Sequence, residues 1–349
     1  MTGKILLLIL LVFQNFLSCS KSSSPTSPSE EGINQKLDEA FAIADQYTSI
    51  TSLVVVKDNN ILKEKYSSAS GFEIPFRIMS VTKSVMSLLI GIAIDKGIID
   101  SVDQSMSEYL TAAGYKVTAD KAKITIQHLL TMSSGLPWAE LNVSTGEYST
   151  WTNSPDQVQY MLDKNFEYEP GTHFNYNSGA SHLLSVILTQ AAGMSTADFA
   201  HQNLFEPLGI GSRNWSKDKK GYNYGSSSLS LSASDMIKIG KMILNEGLFE
   251  GKRVISSEWM KQATSFKITT NNVLPYHSGY GYCFWMDEIN GHPVKFGMGW
   301  AGQFLVVVPD LNLIIIAINN SSGIDDSVAG QQWMRTVELI MTRIIPAFD

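Results

Sequence analysis

The sequence predicts a mixed α/β (α+β) fold in which an antiparallel sheet, flanked by helices, is completed by both ends of the chain around a helical lobe. Three observations carry this. Early in the chain the runs Ser52–Val56 and Ile61–Tyr66 flank Asp58-Asn59-Asn60, the pattern of a hairpin. From about residue 99 to 247 the periodicity is mostly helical, and after Gly251 it returns to strands. An early hairpin and late strands with helices between them bury their apolar faces most simply in one shared sheet.

Taken in order, the chain opens with Met1-Thr2-Gly3-Lys4, then an unbroken apolar run from Ile5 to Phe13, then Ser18-Cys19. This reads as an export signal over residues 1–18. The apolar run is too short to span a hydrocarbon core, which needs about 20 helical residues. Ser18 before Cys19, with the polar stretch Ser20–Ser29 after it, resembles a bacterial lipoprotein cleavage site, although Phe16 stands where that pattern prefers Leu. Lipidation at Cys19 is therefore expected, giving an exported, membrane-anchored lipoprotein at a periplasmic or cell-surface face. The alternative is secretion with an incidental cysteine. Residues 19–31, rich in Ser, Pro and Glu, read as a tether, and residues 32–349 as the folded domain.

Within that domain Leu37, Ala40, Phe41 and Ala44 recur at helical spacing before the hairpin. Ile74 to Met79 reads as a further strand, and Val85, Leu88, Leu89, Ile90 and Ile92 as a long helix beginning near Ser80. The lobe contains helical patterns at Ile124–Met132, Ser154–Leu162, Ser181–Ala192, Thr196–Leu204 and Ser232–Leu244. Strands are predicted at Gly281–Trp285, Gln303–Val308 and Leu311–Ile318, and a last helix near Gln331–Ile344.

Composition excludes several classes of function. The 349 residues are 44% hydrophobic and 17% charged, ordinary globular values. A net charge of −7, with no basic block beyond Lys217-Asp218-Lys219-Lys220, argues against nucleic acid as a partner. Cys283, the only cysteine after Cys19, has no intramolecular partner in the folded part and sits in the aromatic run Tyr280–Trp285, which suits a buried structural thiol. The histidines at 128, 173, 182, 201, 277 and 292 form no zinc signature, and no phosphate loop occurs. Neither a metal nor a cofactor is expected, His128 reads as a structural helix residue, and the oligomeric state is left open.

The chemistry concentrates at Ser80-Val81-Thr82-Lys83. If this S-x-x-K opens a helix, Ser80 and Lys83 share a face, and the helix end both stabilises an oxyanion and helps to lower the lysine pKa. A neutral Lys83 then accepts the Ser80 proton. Ser18–Lys21 and Ser216–Lys219 match the same pattern, but only Ser80 lies between an apolar strand and an apolar helix. The competing reading of Ser80 is a helix cap. Tyr176-Asn177-Ser178 adds a phenol able to relay a proton and a small hydroxyl able to bind substrate. In Gly297-Met298-Gly299-Trp300, just before a strand, the glycines allow close backbone approach by a substrate and a backbone N–H there offers a second oxyanion donor; the alternative is a bulge or tight turn. No Gly-x-Ser-x-Gly elbow is present.

In order, Ser80–Lys83, His128-Leu129-Leu130-Thr131-Met132-Ser133-Ser134-Gly135-Leu136, Pro170-Gly171-Thr172, Tyr176–Ser178, Pro207-Leu208-Gly209, Gly302-Gln303 and Val308-Pro309-Asp310-Leu311 resemble the serine β-lactamase-like superfamily. That superfamily includes class C β-lactamases, penicillin-binding DD-peptidases, esterases and 6-aminohexanoate-dimer hydrolases. The resemblance, covering nearly everything after residue 33, implies a β-lactamase/transpeptidase-like fold with the site in the cleft between sheet and lobe. It also implies acylation of Ser80, proton exchange with Lys83 and Tyr176, and an oxyanion hole from the Ser80 and Trp300 N–H groups. Penicillin-recognising members usually have Tyr-x-Asn where Ser178 completes the motif, as in proteins like the 6-aminohexanoate-dimer hydrolases. They also carry Lys or His where Gly297 stands. Loss of that cation favours a serine hydrolase of carboxylic esters or linear amides. The alternatives are a penicillin-binding protein, β-lactamase or DD-peptidase, and a non-catalytic binding module of the same fold.

Overall fold

The computed structural model describes residues 29–69, 71–140 and 146–349. The export signal, Cys19 and nearly all of the tether lie outside the described residues. Ser29 caps helix α1 (Glu30–Ala44), and Glu30 and Glu31 form its first turn. Two residues assigned by composition to the tether thus begin the domain, held by the favourable placement of carboxylates at a helix N-terminus. Among the described residues no single helix is long and apolar enough to cross a membrane.

Strands β1 (Ile50–Lys57) and β2 (Asn60–Tyr66) form the early hairpin, and β3 is only Phe76–Arg77. Ile74, read as part of that strand, is exposed. Helix α2 (Val81–Asp95) is buried from Val81 to Ala93. The lobe follows with α3 (Met106–Ala112), α4 (Ile126–Leu130), α5 (Glu147–Asn153), α6 (Gln157–Leu162), α7 (Ser178–Ala192) and α8 (Thr196–Ala200). Helix α7 is its axis, packed on α2, α3, α4 and α6. Its start is set by Asn177, whose side chain accepts from the Ala180 N–H at 2.8 Å.

Next come β4 (Ser230–Leu231), α9 (Ala233–Leu244), β5 (Leu248–Phe249), β6 (Lys252–Arg253) and α10 (Ser257–Ala263). Although α9 falls inside the stretch assigned to the lobe, it packs on the sheet. A Cβ on Gly240 would lie 2.8 Å from Ile314 and 3.3 Å from Leu305, so glycine lets the helix approach the strands. Periodicity identifies such a helix but not what it faces.

The remaining elements are β7 (Ile268–Thr269), β8 (Gly279–Tyr280), β9 (Trp285–Ile289), β10 (His292–Gly299), β11 (Gln303–Val308), β12 (Leu313–Asn319) and α11 (Asp326–Leu339). They complete an eight-stranded sheet of order β2-β1-β12-β11-β10-β9-β8-β7, with antiparallel pairings throughout. Both ends of the chain do build it, β12 being inserted between β1 and β11. Of the predicted strand Gly281–Trp285 only Trp285 is extended, as the first residue of β9, while residues 281–284 form the turn between β8 and β9. Cys283 takes φ +58° there and donates its N–H to Leu130 rather than to a strand.

Strands β11 and β12 are buried at every residue, and β1 at all but Lys57, so both faces of the sheet centre are covered. Alternation assigns the covers. Gly297, Leu305 and Ile314 face α2 and α9. On the opposite face Met298 meets Trp333, and Asn319 meets Thr336, both from α11.

Candidate active site

The turn into α2 holds Met79 at φ +48°, a left-handed conformation uncommon for a side chain that long, just before Ser80. Ser80 stands at the cap position with φ −73° and ψ −4°, yet its side chain makes no capping bond. Its hydroxyl lies 2.8 Å from Lys83 Nζ instead. The two roles left open by the sequence are thus separated: the position is that of a cap, and the hydroxyl belongs to the lysine.

Lys83 is 1% exposed. Its nitrogen also lies 2.9 Å from Ser178 Oγ and 3.1 Å from the Ser226 carbonyl oxygen. Burial pushes its pKa down, and the Glu140 charge opposes that. The Tyr176 ring centroid is 4.7 Å from the Lys83 nitrogen, and the ring packs at a tilt against Trp285, with centroids 5.2 Å apart. Burial drives the Tyr176 phenol well above its ordinary range, Glu140 adds to this, and a hydrogen bond with Ser80 works the other way. Ser80, Lys83 and Tyr176 are therefore brought together.

Ser178 is completely buried, and its hydroxyl faces the protein rather than a substrate. It donates to Glu140 Oε1 at 2.6 Å, while the Ser178 and Trp138 N–H groups donate to Oε2 at 2.9 and 2.8 Å. Substrate binding by this hydroxyl, the sequence expectation, is displaced by an internal bond. Glu140 was not identified from sequence. The available signal was a carboxylate in the apolar loop after Gly135-Leu136-Pro137-Trp138.

At the end of β10 the two glycines do different work. A Cβ on Gly297 would meet Ser84 Oγ at 2.6 Å, so this residue admits α2 to the sheet. One on Gly299 would lie 3.0 Å from the Ser80 nitrogen and 2.7 Å from the Ile78 carbonyl oxygen. The Gly299 backbone is thereby laid against the Ser80 amide, with Trp300 next in the chain and in the cleft. The cleft, about 440 Å³, is lined by Arg77, Ser80, Glu140, Tyr148, Ser227, Ser228, Trp300 and Asp326 among others. Arg77 is a second residue missed from sequence, an exposed cation three positions before Ser80. Tyr148, its hydroxyl pushed up to about 12 by burial, bonds Ser227.

Two buried groups frame the site without entering it. His182 Nε2 pairs with Asp218 at 2.9 Å, and Nδ1 accepts from the Gly225 N–H at 3.2 Å, fixing the segment that presents the Ser226 carbonyl to Lys83. Cys283 is 1% exposed with its thiol pushed up to about 12 by burial, which leaves little thiolate for chemistry. His128 belongs to a capping box with Thr125, a structural position. Among the described residues no group of His, Cys, Asp or Glu could hold a metal ion.

The chain matches the beta-lactamase family model over residues 46–335. It is 24% identical over 310 residues to an uncharacterized protein of Alkalihalophilus pseudofirmus, covering 78% of this chain and 84% of that one. It is also 24% identical over 226 residues to the 6-aminohexanoate-dimer hydrolase of Paenarthrobacter ureafaciens, covering 61% of this chain and 57% of the relative, little more than half its length. In fold it is similar to a penicillin-binding protein homologue from Pyrococcus abyssi, with a TM-score of 0.66 at 20% identity over 90% of this chain and 78% of that one.

Proposed function

Since the chain belongs to the beta-lactamase family, we propose that it is a serine hydrolase acting through a Ser80 acyl-enzyme on carboxylic esters or linear amides. The observation that carries this is the 2.8 Å contact between Ser80 Oγ and a buried, pKa-lowered Lys83. In the proposed reaction Lys83 takes the proton as Ser80 Oγ attacks the acyl carbonyl. The Ser80 and Trp300 N–H groups receive the oxyanion, and Tyr176, bonded to Ser80, relays a proton to the leaving group. Water then hydrolyses the acyl-enzyme. Purified protein should hydrolyse a small activated ester, and Ser80→Ala should reduce the rate to background. An unchanged rate would refute the assignment, and an inert wild type would favour the binding-module alternative.

Arg77 favours a second reading, a penicillin-binding or DD-peptidase activity on cell-wall peptides. It brings to the cleft a cation that Gly297 does not provide, and a guanidinium suits carboxylate recognition. Covalent labelling of Ser80 by a fluorescent penicillin, weakened by Arg77→Gln, would support it; no label at high concentration would exclude it. Export and anchoring through Cys19 are proposed on the sequence pattern alone. In that case Cys19→Ser should move the protein from the membrane fraction to the soluble one.

A further inference from the structure

We propose that Glu140 is a positioning residue that sets the direction of the hydrogen bonds at Lys83, leaving the amine's lone pair for Ser80 alone. The inference rests on the Ser80–Lys83 hydrolase reading and extends it to a carboxylate that does not touch the reacting atoms.

An ionised carboxylate accepts and does not donate. Ser178 has one hydroxyl proton, and at 2.6 Å from Glu140 Oε1 that proton is committed to the carboxylate. Toward Lys83, 2.9 Å away, Ser178 Oγ is then only an acceptor. The Ser226 carbonyl oxygen, at 3.1 Å, is an acceptor by nature. A neutral amine has two N–H bonds and one lone pair. The two N–H bonds are taken by Ser178 and Ser226, and the lone pair is left for the third neighbour, the Ser80 hydroxyl at 2.8 Å. After proton transfer the resulting ammonium has three N–H bonds for the same three oxygens, so the transfer leaves no donor unpaired.

A glutamine at 140 should reverse this arrangement. The Ser178 and Trp138 N–H groups both point at Oε2, which forces the amide oxygen into that place and the NH₂ into the place of Oε1. The NH₂ would donate to Ser178 Oγ, turning the serine's own proton toward Lys83, where it competes with Ser80 for the lone pair. A charge effect is superimposed. The titratable groups facing Lys83 are Glu140, Tyr176 ahead of α7 and Cys283 ahead of β9. The Glu140 charge supports the ammonium form, so its removal lets burial lower the Lys83 pKa further.

The test is the pH dependence of kcat/KM for a small activated ester, measured on the full chain with Glu140→Gln, Ser178→Ala and the double variant. Glu140→Gln should lower kcat/KM about 10- to 100-fold with KM little changed, and should move the acid limb of the profile to lower pH. In the Ser178→Ala background the same substitution should cost far less, because no hydroxyl remains to turn. A Glu140→Gln rate within about twofold of wild type with an unmoved limb, or an equal loss in both backgrounds, would overturn the proposal. Should Glu140→Gln fail to fold, Ser178→Ala decides alone: losing the acceptor must lower kcat/KM, and an unaltered rate overturns the proposal. Absence of Ser80-dependent turnover in the wild type would instead remove the hydrolase reading and this proposal with it.

Discussion

Lys83 is enclosed by hydrogen-bond partners from three separate parts of the chain, and burying an amine so completely is costly unless each polar contact is made. Only the first partner was legible in the sequence. Ser80 and Lys83 lie three positions apart on one helix, so spacing alone predicts their contact. Ser178 was identified, but its use was not, because its hydroxyl is spoken for by Glu140, 38 positions earlier on a loop without periodicity. At this scale Lys83→Arg is the informative substitution. The guanidinium keeps the positive charge and the donors but does not deprotonate in proteins. Ester hydrolysis should fall by about 10²-fold or more and should not recover at high pH; recovery on raising the pH would exclude Lys83 as the proton acceptor.

Helix α2 shows how an element can carry a residue that local propensity disfavours. Gly91 lies in its interior, where alanine is favoured by about 1 kcal/mol. A Cβ there would stand 2.2 Å from the Trp259 ring of α10, and Trp259 is nearly fully buried. Overpacking of this kind costs about 1–3 kcal/mol, so packing outweighs propensity and Gly91→Ala should lower the melting temperature. A rise would show that Trp259 moves aside freely. The same contrast between local pattern and packing explains what was and was not legible here. The long apolar helices α2 and α7 were visible because burial fills their sequences with apolar residues. Strand β10 was not recognised: His292, Pro293 and three non-branched residues after Phe296, two of them glycine, carry little strand signal. It is a strand because its neighbours on either side in the sheet pair with it.

Across the whole molecule the α/β fold and the sheet shared between early and late segments were predicted, whereas the packing of α9 on the sheet was not, because it depends on the close approach at Gly240 that periodicity does not encode. One end of the central strands is pinned by charge. His292 at the start of β10 bonds Asp310, in the β11–β12 turn, at 2.6 Å and Asp349 at 3.1 Å. The Asp310 bond raises the His292 pKa, with Asp349 adding to it against burial. A raised folded-state value stabilises the protein fully below the unfolded value of about 6.5, and the contribution is lost as pH rises through the folded value. His292→Gln should therefore lower the melting temperature at about pH 5.5 and make little difference above about pH 9. An equal effect at both would assign His292 a packing role. The sheet itself has a further consequence, for synthesis. Thr51 on β1 donates to Ile318 on β12 across 267 positions, and among the described residues β12 is the strand that joins the early hairpin to the rest of the sheet. On a ribosome the hairpin would wait, the hydrogen-bonding edge of β1 unpaired, until residues 313–319 emerged. Such long-range pairing makes folding slow, and nascent chains halted before residue 313 should remain open to protease throughout.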